Sequence, residues 1–215
     1  FFMNIYKIDN DKFKTINLSL NYTMNLKKEN YALFSVLSAL MAKSCVKYKT
    51  QKEIEKYLNS LYGASFDVNV EKYGDLFNIE FLIEGINKSF LPNNTDIINK
   101  TLEFLYEVVY NQNFNENINS ELVKREKSYI LEKIRTKKDD KLRYGISKME
   151  EIMCKNENFG MYLYGDEENL NKVNEEALIE AYNYLLNESC ISVILSGNLK
   201  GYTNIENEIK NIFGD

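Results

Sequence analysis

Residues 64–85 read "ASFDVNVEKYGDLFNIEFLIEG". Phe66, Val68 and Val70 alternate with Ser65, Asp67, Asn69 and Glu71, and after Gly74 and Asp75 the beat resumes at Phe77, Ile79, Phe81 and Ile83. A period of two puts alternate side chains on opposite faces, so each half is a strand with one apolar face. The Gly-Asp turn between them makes the pair a hairpin. An antiparallel sheet with one buried face is the expected frame.

Upstream, Thr50 and Glu53 form a T-x-x-E capping box. Ile54, Tyr57, Leu58, Leu61 and Tyr62 supply the buried stripe of that helix, and Gly63 ends it. Before it, "SVLSALMAKS" (35–44) belongs to another helix. Leu33, Val36, Leu37, Leu40 and Met41 give one apolar stripe, and Ser35, Ser38, Ala39 and Ala42 give a second in which every member is small. Two strands open the chain, "FFMNIYKID" and "KTINLSLNYTMNL", with a turn at Asn10 and Asp11.

Downstream, the single proline, Pro92, precedes a helix striped by Ile98, Leu102, Leu105, Tyr106 and Val109. Residues from about 117 to 153 read as one long helix or two, and "NENFGMYLYGDEENL" as an irregular stretch. Then come a helix ("NEEALIEAYNYLL"), a buried strand ("CISVILSGN") and a last helix ("TNIENEIKNIF"). Hairpin-paired strands and amphipathic helices predict an α+β two-layer sandwich, an antiparallel sheet with helices on one face. No Pro-, Gly- or Ser-rich linker divides it, so residues 1–215 are expected to form one domain.

The chain has 215 residues, 32 acids against 27 bases, and no histidine. A net charge of −5 does not fit a general nucleic-acid binder. Without imidazole, neither a Ser-His-Asp or Cys-His system nor the usual zinc hydrolase site can be built from this chain alone. No phosphate-binding glycine motif or EF-hand loop occurs. Cys45, Cys154 and Cys190 lack C-x-x-C spacing and read as reduced thiols. No apolar run is long enough to span a membrane and no signal peptide is legible, so a cytoplasmic location is expected, with no cofactor. Residues 121–143 hold nine bases and five acids. They read as a solvated charged face; the alternative is a basic-helix interaction module for the translation apparatus.

The order of elements, with "DKFKT", "YLNSLYGASFDVNVEKYGD", "REKSYILEKIRTKKDDKLRYG", "EEIMCKNENF" and "YGDEEN", resembles the N-terminal half-domain of the insulinase-type zinc peptidases, the inverzincins. Within that family the likeness is to a non-catalytic, Bacillus-type group, YfmF-like, connected with modification of elongation factor P. The resemblance implies the fold of the mitochondrial processing peptidase. It places Ser35, Ser38 and Ala39 where the family's H-x-x-E-H supplies two zinc ligands and a general base. The third ligand position falls at Lys133, with Glu132 one residue away. The implied site is emptied of metal, and its small side chains are expected to let helix and sheet close together, with Ser35, Ser38 and Ala39 largely buried. The family takes up extended peptide along a sheet edge, which makes Ser65, Phe66, Asp67, Val68, Asn69 and Val70 the peptide-binding candidates. The chain is then expected to be a silent half-domain paired with a second half or with an active H-x-x-E-H partner. Its expected contact surfaces lie near 121–143 and the Phe66–Val70 edge. The alternative is a component of an active zinc peptidase.

Overall fold

The computed structural model describes residues 3–115 and 118–214. Phe1 and Phe2, expected in the first strand, and Asn117, expected at the start of the charged helical stretch, lie outside them. The described elements are β1 (Asn4–Asp9), β2 (Thr15–Asn25), α1 (Tyr31–Met41), α2 (Gln51–Ser60), β3 (Ser65–Tyr73) and β4 (Leu76–Ile86). They continue with α3 (Ile98–Tyr110), α4 (Ser120–Thr136), α5 (Lys141–Met153), α6 (Glu167–Lys172), α7 (Glu175–Glu188), β5 (Cys190–Gly197) and α8 (Ile205–Phe213).

The expected hairpin is present, with Phe66 opposite Ile83 and Val70 opposite Ile79. The sheet order is β1-β5-β2-β4-β3. Every pairing is antiparallel except that of β1 with β5, which is parallel. The first two strands are therefore not partners: β5 inserts between them. Burial gives the reason. Ile191, Val193 and Leu195 of β5 are buried, which suits an interior strand, whereas β1 is exposed along most of its length and suits an edge. The insertion needs Gly197, whose φ is +129°; a Cβ there would stand 2.5 Å from Thr15 O.

One face of the sheet carries the core. Leu18, Leu20, Tyr22, Phe77, Ile79, Phe81, Val193 and Leu195 are buried with Val36, Leu37 and Leu40 of α1, Leu102 and Leu105 of α3, and Leu178 and Leu185 of α7. The opposite face is polar and bonded to itself. Asn78 Nδ2 donates to Asn21 Oδ1 (2.9 Å), Asn21 Nδ2 to Ser19 Oγ (2.7 Å), and Ser19 Oγ to Glu80 Oε1 (2.6 Å). This is the two-layer α+β sandwich expected, antiparallel but for its β1 edge.

Local signals hold where they are strong. Thr50 caps α2 by accepting from Glu53 N at 3.3 Å. Glu53 reaches back to Lys49 N (2.7 Å), one residue before the usual partner in a capping box. The charged stretch splits into α4 and α5, capped by Asn119 and Asp140. The stretch expected to be irregular holds the start of α6, capped by Asp166; six residues are too few for a periodic stripe.

Candidate functional site

α1 has no charged residue, and its apolar side is fixed in the core. Its small side, Ser35, Ser38, Ala39 and Ala42, lines a cleft of about 750 Å3. The opposite wall is the β3 edge from Phe66 to Glu71, with Gln51, Ile54 and Glu55 of α2 at one side and Arg125, Glu126, Tyr129 and Ile130 of α4 at the other. Of the six peptide-binding candidates, Phe66, Asp67, Val68, Asn69 and Val70 line this cleft; Ser65 does not. β3 pairs only with β4, so its other edge is free.

The serines spend their hydroxyls on backbone. Ser35, 1% exposed, donates from Oγ to Leu163 O at 3.2 Å, and Ser38, 4% exposed, donates to Ser35 O at 2.9 Å. Both are buried as expected, and Ala39 is half-buried. Helix and sheet do meet: α1 packs against β3 and buries Val36, Leu37 and Leu40 in the core, while its small side borders the cleft.

The third expected position is Lys133. Lys133 does not line the cleft; its Nζ lies 5.2 Å from the centre of the Tyr129 ring, and Glu132 is exposed on α4. Glu126, two turns earlier, is the α4 carboxylate in the cleft, and it is 4% exposed. Its signal was in the sequence: Glu126 interrupts the buried stripe of Val123 and Ile130. Two hydroxyls bonded to backbone, a methyl group and one carboxylate do not fit a zinc ion, which wants three protein ligands in a hydrolytic site. Among the described residues no group of three His, Cys, Asp or Glu could hold a metal.

A strap from Asn158 to Gly165 borders the cleft through Tyr164. Lys72, at the end of β3, donates to Phe159 O (2.8 Å) and Met161 O (2.7 Å) and lies 3.6 Å from Glu150. Burial pushes its pKa down, and the Glu150 carboxylate opposes that. Tyr164, whose pKa burial raises, completes the lining.

The bases of 121–143 are largely engaged. Arg135 forks onto Glu167 (2.9 and 3.0 Å), Lys127 donates to Val173 O (2.6 Å), and Lys137 sits over the Tyr162 ring at 4.6 Å. This is the solvated, internally paired face expected of them, not a free basic stripe. α5 is different. It has no buried residue, and Leu142, Ile146, Met149, Ile152 and Met153 form an exposed apolar stripe.

In class the chain is an α+β two-layer sandwich with a cleft between α1 and the β3 edge. No family model matches the chain. It is 24% identical over 193 residues to the probable inactive metalloprotease YmfF of Bacillus subtilis (strain 168), matching 89% of this chain and 45% of that protein. The Bacillus relative is thus YmfF, where a YfmF-like protein was expected. A crystal structure of a conserved protein from Enterococcus faecalis V583 superposes with TM-score 0.89 at 22% identity, over 98% of this chain and 49% of that one. A peptidase M16 inactive domain from Pseudomonas fluorescens superposes with TM-score 0.71 at 14% identity, over 98% of this chain and 47% of that one. The chain thus spans about half the length of each of these proteins. In fold it is an insulinase-type half-domain, and in sequence it resembles a metalloprotease homologue named as inactive. Among the described residues no helix is long and apolar enough to cross a membrane.

Proposed function

We propose that this chain is the catalytically silent, N-terminal half of a longer two-half protein, cytoplasmic, and that it grips extended peptide without cutting it. The observation that carries this reading is the cleft. A free strand edge from Phe66 to Val70 lies across the cleft from Ser35, Ser38 and Ala39, which the resemblance sets at the family's zinc-site positions. Strand addition needs only the unpaired backbone groups of β3 and room for alternate side chains, and both survive the loss of the metal. Hydrolysis by the family's route needs a water polarised by zinc, and Ser35, Ser38 and Ala39 are no ligand set for that ion.

The α5 stripe supports pairing. An exposed apolar face of this kind marks a contact surface. A second insulinase-type half-domain, or an active partner with H-x-x-E-H, is the occupant we assign, and the two halves then form a chamber around the peptide. A tie to elongation factor P modification follows from the resemblance. The test uses the purified protein in three measurements: elemental analysis, a fluorogenic peptide assay, and anisotropy with labelled extended peptides. Expected are no stoichiometric zinc, no cleavage, and saturable binding that a proline scan of the peptide disrupts. One zinc per chain removed together with an activity overturns the silent half-domain; absence of binding overturns the grip.

A further inference from the structure

α5 holds a residue that nothing among the described residues accounts for. Of the nine glycines, five have positive φ, and three stand where a Cβ would come within 3.1 Å of a neighbour. Gly145 has neither reason. It is helical and exposed, and a Cβ built on it would meet nothing within 4 Å. A glycine inside a helix weakens it relative to alanine, because its backbone loses more freedom on folding. Its place on the helix tells what the gap faces. Gly145 comes three residues after Leu142 and four before Met149, next to Ile146, so it opens a dent in the exposed apolar stripe. Leu142, at the rim of that dent, is 75% exposed. The other side of α5 is held by the chain itself. Glu150 lies 3.6 Å from Lys72 Nζ, and Gly160 of the strap packs so tightly on the end of α5 that a Cβ there would stand 2.4 Å from Cys154 O. The helix is thus mounted with its dented stripe outward.

We infer that Gly145 is the point of closest contact between this chain and the second half-domain, which lays an apolar ridge along α5 and seats backbone or a small side chain in the dent. The inference rests on the pairing reading above. Two observations select the occupant. The chain spans about half the length of the relatives it matches, which leaves each of them a second part of similar size. The stripe is aliphatic, and an apolar ridge covers such a surface where a charged ligand does not. Leu142 and Ile146 flank the ridge, and Met149, unbranched and flexible, adapts to it. A methyl group at position 145 would stand in the seat. Helix stability therefore favours alanine there, while the contact favours glycine.

The experiment compares residues 1–215 alone with the intact two-half protein, each unaltered and as Gly145→Ala and Gly145→Leu. Thermal unfolding and hydrogen exchange of the α5 amides are read in both. In the unaltered proteins α5 should exchange at least about tenfold more slowly in the intact protein than in residues 1–215. Gly145→Ala should raise the melting midpoint of residues 1–215 by about 2–4 °C. In the intact protein the same substitution should speed α5 exchange, and Gly145→Leu should speed it more. The two proteins thus respond with opposite sign. Equally fast α5 exchange in both unaltered proteins overturns pairing at α5 and the contact at Gly145 with it. Protection in the intact protein that survives both substitutions overturns the contact and leaves pairing standing. A lowered midpoint for Gly145→Ala in residues 1–215 would show that the chain itself needs the glycine, which also overturns it.

Discussion

α1 and α5 are both patterned helices, and they end in opposite surroundings. α1 buries nine of its eleven residues, while α5 buries none of its thirteen. Both carry apolar residues at helical spacing. α1 finds its partners within the chain, in the sheet and α4. The stripe of α5 faces outward, and the strap is the element it chiefly meets. Periodicity tells that a face has a partner; it does not tell on which molecule the partner lies. The contrast recurs within α1, whose apolar side is locked in the core while its small side looks into a cleft.

The largest expected effect strikes the locked side. Leu37 is 0% exposed, and Leu37→Ala should cost about 2–5 kcal/mol by lost burial and a cavity, read from chemical denaturation. A cost below about 1 kcal/mol would put α1 nearer to α5 than the structure does.

The second test is alkaline. Burial pushes up the pKa values of Tyr31 on α1 and of Tyr22 in the same core, and Tyr182 rises to about 12. These groups hold their protons more tightly folded than unfolded. Their contribution is complete below the unfolded value of about 10 and is lost as pH climbs through the folded values. Denaturation midpoints should therefore fall steeply above that point, with tyrosinate absorbance rising in the same transition. With no histidine in the chain, no such step is expected near neutrality. A step there would show that something besides histidine governs stability at that pH.

Third comes the small side of α1. A sealed contact would make Ala39→Leu overpacked, at about 1–3 kcal/mol. The cleft lowers the expected cost to under about 1 kcal/mol, while peptide binding should be lost. Both readouts are needed, since a large stability cost would mean that the cleft closes in solution.

The smallest effect belongs to α5. Ile146→Lys combined with Met149→Lys should change the stability of this chain by no more than about 0.5 kcal/mol. It should abolish association with the second half-domain in sizing experiments. A clear loss of stability would mean that the stripe is covered by this chain itself.

Much of the fold was legible because its signals are local. The alternation in 64–85, the Thr50 cap and the stripes of α2 and α3 depend on neighbours a few residues away. Part of the site was legible for the same reason. Ser35, Ser38 and Ala39 lie within two turns of one helix, so their shared face follows from spacing alone. The third position was not. It depends on how far α4 slides along α1, and that choice put Glu126 in the cleft instead of Lys133.

What the sequence determined by itself is the composition of any possible site: with no histidine, no arrangement of this chain builds the family's zinc centre. It also determined the hairpin, because a period of two is written into the strands; that β3 lies at an edge follows from the sheet order. Tertiary structure alone decided that β5 separates β1 from β2, that the small face of α1 borders a cleft of about 750 Å3, and that Glu126 occupies it. Each of these joins residues far apart in the chain, and such pairings are selected by the burial of the whole core, which no local window of residues contains.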